Sequence, residues 1–125
     1  MGLLASLGLE AGPGGLMLVG APDSVLAEAG AMKPRPSFAS SMMTAEPAAR
    51  IAWWPERESL TATALQRLAW FLASGAGEAW IIIDESEELP PADTVVSMAA
   101  SSGLALRDRI DLARGLTALK MENAA

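Results

Sequence analysis

The sequence contains no histidine, no cysteine and no tyrosine. Each absence removes a class of chemistry. Without His there is no Ser-His-Asp triad and no ordinary proton shuttle near neutral pH. Without Cys there is no thiol nucleophile, no disulfide and no cysteine zinc site. Lys33 and Lys120 are the two lysines, and neither lies in a segment that would desolvate it, so a Schiff-base role has no support. Basic charge is also scarce: 9 Lys and Arg against 15 Asp and Glu, a formal net charge of -6. Nucleic-acid binding draws on a basic stripe, and the one modest grouping is Arg107, Arg109, Arg114 and Lys120, so no nucleic-acid partner is expected. No apolar run approaches the roughly 20 residues needed to span a bilayer. Met1 to Leu9 is apolar but lacks a basic start, and Glu10 follows at once, so no signal peptide and no membrane association are expected. The absence of cysteine fits a cytoplasmic protein.

What is present is a globular composition, 51% hydrophobic and 19% charged over 125 residues. That describes one domain over 1–125, with its core from Leu7 to Lys120 and frayed ends. A short helix over Gly2 to Leu9 is followed by a dense turn at Ala11-Gly12-Pro13-Gly14-Gly15. Leu16 to Val19 is a continuous apolar run between glycines, the pattern of a strand buried on both faces. Pro22 and Asp23 suit the first turn of a helix that Gly30 stops. Ser37 to Met43 reads as a short edge strand with its prolines outside. Arg50 to Trp54 is a second buried strand, ended by Pro55. Ser59 to Ser74 has helical spacing, with Leu60, Ala64, Leu68 and Leu72 on one stripe and Leu65 and Ala69 beside it. Ala79 to Ile83 is a third buried strand, with Trp80 in the core, and Asp84 to Glu88 a solvated acidic loop. Pro90-Pro91 opens a helix that Gly103 closes. Leu106, Asp108, Ile110 and Leu112 then share one face of a strand. Gly115 permits a reversal into Leu116 to Met121, an antiparallel C-terminal hairpin. The order predicts a three-layer α/β domain with a mostly parallel sheet.

This order is similar to the class I S-adenosylmethionine methyltransferase Rossmann fold with its first half shortened. Leu7-Gly8-Leu9-Glu10-Ala11-Gly12 followed by Leu16-Met17-Leu18-Val19-Gly20-Ala21-Pro22-Asp23 resembles the opening of a family of small bacterial domains of unknown function. The later motifs of that family match Ile51 to Trp54, Leu60 to Leu72, Gly75 or Gly77, Trp80 to Ile83 and Ser102-Gly103-Leu104. Where the family strand beginning with Trp runs into a Pro-Lys pair, this chain has Asp84-Glu85, with Glu87 and Glu88 behind.

Ligands of open α/β sheets bind beyond the carboxyl ends of the strands. The cofactor-binding candidates are therefore Gly20, Ala21, Asp23 and Ser24, in the turn after the first strand. One glycine stands there where a dinucleotide or methyltransferase loop has two or three, Pro22 lacks an N–H, and Asp23 repels anions. The acid that holds a ribose is missing from Phe38 to Thr44, and Glu46 is the first available. These features predict a chain without a cofactor, with S-adenosylmethionine as the disfavoured alternative. The acids from Asp84 to Glu88 lack the spacing of a calcium loop, and no metal is expected. Trp53 and Trp54 are adjacent on a strand and point to opposite faces. Either both are covered by the protein's own helices, the leading reading, or one is core and the other, Trp54 the candidate, a half-exposed anchor for a partner. Trp70, off the helical stripe beside Phe71, is a second such candidate. The leading expectation is a non-catalytic cytoplasmic interaction or regulatory protein with a protein partner. The alternatives are a small-molecule, nucleotide or S-adenosylmethionine-binding domain with its ligand at Gly20 to Ser24, and a homo-oligomer joined through the Phe38–Met43 edge or the C-terminal hairpin.

Overall fold

Leu16 to Val19 form β1, and all four residues are buried, as a strand covered on both faces requires. The structure, a computed structural model, describes residues 3–9, 14–32, 35–75, 77–84, 91–112 and 115–123. Around β1 stand helix α1 (Leu3–Ser6), α2 (Asp23–Gly30), β2 (Ser37–Ala39), β3 (Arg50–Trp53), α3 (Ala62–Ala73), β4 (Glu78–Asp84), α4 (Ala92–Ala100), β5 (Leu104–Leu112) and β6 (Leu116–Asn123). The expectations placed on Gly2, on Glu10 to Pro13, on Lys33 and Pro34, on Glu85 to Pro90 and on Arg114 lie outside the described residues.

The six strands form one sheet in the order β2-β1-β3-β4-β6-β5. β2, β1, β3 and β4 run parallel, and β6 and β5 add an antiparallel pair. The mostly parallel sheet and C-terminal hairpin are as expected. From β1 the chain steps outward to β2, then returns past β1 to β3. The direction of winding therefore reverses between β1 and β3, and this switch point is where open sheets leave room for a ligand.

Side chains alternate across the strands, and the two sets find different partners. Met17, Val19, Ile51, Trp53, Ile81, Ile83 and Leu119 pack with Leu65, Leu68 and Phe71 of α3 and Val95 and Ala99 of α4. Leu16, Leu18, Ala52, Trp80, Ile82 and Ala118 pack with Val25 and Ala29 of α2 and with Leu4, Leu7 and Leu9. The buried core thus reaches back to Leu4. A four-residue helix such as α1 is too short to stand alone. It is held by Glu28 on α2, whose two carboxylate oxygens accept from the Leu4 and Ala5 N–H groups, each at 3.0 Å.

Several boundaries differ from expectation for local reasons. α3 begins at Ala62, because Thr61 caps it by accepting from the Ala64 N–H at 3.2 Å, while Glu56 to Ser59 close a separate turn. Its buried positions are Ala64, Leu65, Leu68 and Phe71, and Leu72 of the expected stripe packs half-buried against the same cluster. Pro22 caps α2 rather than joining its first turn. β2 stops at Ala39. In β5 the pairing shifts between Leu106 and Asp108, which face Met121 and Lys120. Neighbours on β6 point to opposite faces, so this bulge separates Leu106 from the face shared by Asp108, Ile110 and Leu112. β6 continues to Asn123 through the pairs Ala105 with Glu122 and Leu104 with Asn123, where fraying was expected. Among the described residues no helix is long and apolar enough to cross a membrane.

Candidate functional site

The exit of β1 is narrow. The Gly20 N–H donates to the Ala39 carbonyl and the Trp54 N–H to the Val19 carbonyl, both at 2.9 Å. The chain turns at Gly20 with φ +67°, and a Cβ there would stand 2.8 Å from the Trp54 carbonyl oxygen. Only glycine meets both conditions. Ala21 and Pro22 then lead away into α2, where the Pro22 carbonyl accepts from Val25 and Leu26 at 3.0 Å.

The exit of β3 is wider. Trp54 and buried Pro55 are followed by a charged turn, Glu56-Arg57-Glu58. Leu60, 7% exposed, anchors its far end in the core. β4 ends alongside with Ile82 and Asp84. Between these three strand ends lies a cleft of about 620 Å³, lined by Gly20, Ala21, Pro22, Trp54, Pro55, Glu56, Arg57, Glu58, Ile82 and Asp84. Its volume is within the range of small-molecule sites, on the order of 300–1,000 Å³. Its floor is apolar, and its rim carries three carboxylates and one guanidinium.

The expected residues divide. Gly20 and Ala21 line the cleft. Asp23 and Ser24 stand exposed in the first turn of α2, outside its lining. Trp54 is no half-exposed anchor: it is 9% exposed, because Leu4, Leu7 and Leu9 share its cluster beneath the sheet. Trp53 is buried on the opposite face. Trp80 is core, as expected, with Lys120 Nζ 5.6 Å from its ring centroid. Trp70 is 51% exposed on α3. The Arg67 guanidinium lies 5.4 Å from its ring centroid and also donates to the Met42 and Ala45 carbonyls. The Glu56-Arg57-Glu58 turn was missed from sequence. Its signal was present, since charged residues directly after Pro55 stand at the carboxyl end of a buried strand.

No protein-family model matches the sequence, and no curated protein does. Solved structures match well. The antibiotic-resistance methyltransferase Kmr aligns with a TM-score of 0.57 and 17% identity, covering 98% of this chain and 94% of its own. The O-methyltransferase NcsB1 from neocarzinostatin biosynthesis, solved with S-adenosylmethionine and 2-hydroxy-5-methyl naphthoic acid, aligns at 0.63 and 15% identity, over 88% of this chain and 49% of its own. The fold is that of a class I methyltransferase. Magnesium protoporphyrin IX methyltransferase ChlM from Synechocystis PCC 6803, with bound S-adenosylmethionine, shares it at 0.55 and 6% identity, over 94% of this chain and 73% of its own. The chain therefore spans nearly the full length of Kmr and about half that of NcsB1.

These neighbours overturn the expectation of a chain without a cofactor, since this methyltransferase fold includes proteins solved with S-adenosylmethionine in place. The physical reason is that Pro22 and Asp23 weigh against an anion and the scarcity of glycine against close backbone approach at the turn, whereas the cleft takes half its lining from Trp54 to Glu58. S-adenosylmethionine carries no phosphate, and Pro22, at the α2 N-terminus, is one of ten residues in the lining.

Proposed function

We propose that the chain binds S-adenosylmethionine in the cleft between Gly20, Trp54 and Asp84 and serves as the cofactor domain of a methyltransferase. The supporting observation is the open cleft at the winding switch point, with an apolar floor and an acidic rim. The cofactor is a nucleoside carrying a sulfonium, an ammonium and a carboxylate. Its groups fit the lining. Trp54, Pro55 and Ile82 offer apolar surface to the adenine. Glu56, Glu58 and Asp84 can accept from ribose hydroxyls and the ammonium, and Arg57 can donate to the carboxylate. The same acids, with Asp23 nearby in sequence, disfavour a phosphate-bearing dinucleotide. When bound, the cofactor supplies an electrophilic methyl group on sulfur. The chain's own part is to hold it in one orientation at the strand ends.

Calorimetric titration with S-adenosylmethionine, NAD and ATP tests this. Saturable heat with S-adenosylmethionine in the micromolar range, and none with NAD or ATP, is the expected result. No heat with S-adenosylmethionine at millimolar concentration would end the proposal.

A second reading, self-association, draws on Phe38 and Met43, which are 46% and 57% exposed at and beyond the β2 edge. Light scattering across a concentration series tests it, and a monomer throughout rejects it.

A further inference from the structure

We propose that Ser59 is a positioning residue for the cleft. It fixes the Glu56-Arg57-Glu58 lip, and through that lip the site prefers a positively charged ligand to its neutral counterpart. The inference rests on the reading of the cleft as an S-adenosylmethionine site and adds to it the origin of its charge selectivity.

The lip is tied at both ends. At its start the Trp54 N–H is bonded to Val19, and Pro55 has a fixed φ. At its end the Ser59 hydroxyl works in both directions. Its oxygen accepts from the Glu56 N–H at 2.8 Å, and its O–H donates to the Glu56 carbonyl at 3.1 Å. That carbonyl also accepts from the Ser59 N–H at 3.0 Å and the Leu60 N–H at 2.9 Å. The backbone between is a closed ring, and Glu56, Arg57 and Glu58 extend from it as exposed side chains on a rigid base. Loss of the hydroxyl leaves the two backbone bonds to the Glu56 carbonyl but releases the Glu56 N–H. The fold survives and the lip loosens.

The lip carries two of the three carboxylates on the rim. S-adenosylmethionine and S-adenosylhomocysteine differ by one methyl group and one positive charge at sulfur. Their affinity ratio therefore reports the methyl contact and the charge together, and its change between variants of the lip isolates the effect of the rim's charge. The rim carboxylates of the lip are exposed, and where bulk water screens a unit charge roughly 4 Å from a carboxylate the attraction is worth roughly a factor of five.

The test is calorimetry with both ligands on the wild-type chain, Ser59→Ala, Ser59→Thr and Glu58→Gln, with thermal unfolding as a control. The wild type should favour S-adenosylmethionine. Ser59→Ala should lower that preference by about threefold with its unfolding temperature nearly unchanged. Ser59→Thr, which keeps the hydroxyl, should restore the preference, and Glu58→Gln should lower it without touching the lip backbone. Equal weakening of both ligands by Ser59→Ala would reduce Ser59 to a structural residue and overturn the inference alone. So would a wild type that binds the neutral ligand as well as the charged one, or a Glu58→Gln variant with an unaltered preference. A wild type that binds neither ligand would overturn the cofactor reading as well.

Discussion

The two faces of the sheet are built to different standards. One is covered by α3 and α4, of 12 and 9 residues, over a cluster that includes Trp53 and Phe71. The other is covered by α2, of 8 residues, and by the 4-residue α1, which Glu28 holds in place. The cleft takes its apolar floor from the second set: Trp54 and Ile82 belong to that cluster. The larger helical layer and the floor of the cleft thus fall on opposite faces through the alternation of a few strands. Trp53 and Trp54 carry the division in its smallest form, being chain neighbours with separate roles.

The sharpest way to break this comparison is to truncate the two tryptophans separately. Trp53→Ala should cost about 3–5 kcal/mol of stability, since it opens a cavity in the thicker layer. Trp54→Ala should cost about 2 kcal/mol, while abolishing measurable S-adenosylmethionine binding. Equal losses in chemical denaturation would show that the faces are equivalent. Gly20→Ala should come next, at about 2 kcal/mol. It places a side chain at positive φ and against the Trp54 carbonyl, so ligand heat should fall together with the denaturation midpoint. Glu28→Ala should cost about 1 kcal/mol. Its specific sign is lost hydrogen-exchange protection at the Leu4 and Ala5 amides, with α3 amides unaffected. Retained protection would mean that Leu4 packing alone secures α1. The smallest effect is expected at Arg109→Ala, within about 0.5 kcal/mol. Its ion pairs with Asp93 and Asp111 join side chains that are 39%, 92% and 74% exposed.

The fold was largely legible in the sequence because its strands are punctuated. β1 lies between glycines, β3 ends near Pro55, and β4 is an unbroken apolar run. The bulge at Leu106 and Asp108 was not legible. One residue out of step leaves no mark on composition, and Leu106, Asp108, Ile110 and Leu112 keep their even spacing in the chain whichever way they point. The spacing of Trp53 and Trp54 leaves the covered and half-exposed readings both open, because what covers Trp54 includes Leu4, Leu7 and Leu9, far away in sequence. At the candidate site the β1 turn is legible as a ligand-bearing position, while its single glycine, Pro22 and Asp23 point away from the cofactor that structural neighbours carry. Asp23 counts against a phosphate and says little about a sulfonium. Glu56, Arg57 and Glu58 were readable in type but not in place, because only the sheet order brings their loop beside Gly20 and Asp84.

The position of β6 has a consequence for synthesis. It follows β5 in the chain, yet it sits between β4 and β5 and pairs with β4 from Ala79 to Asp84. While the polypeptide is being made, β4 has completed its side toward β3 but must wait for its other neighbour until β6 has emerged. During that interval an edge of alanine, tryptophan and three isoleucines offers unpaired backbone to any passing strand. The time between translation of Asp84 and of Leu116 is thus the period of greatest aggregation hazard. Charged β5 cannot shorten it, because β5 joins the sheet only through β6.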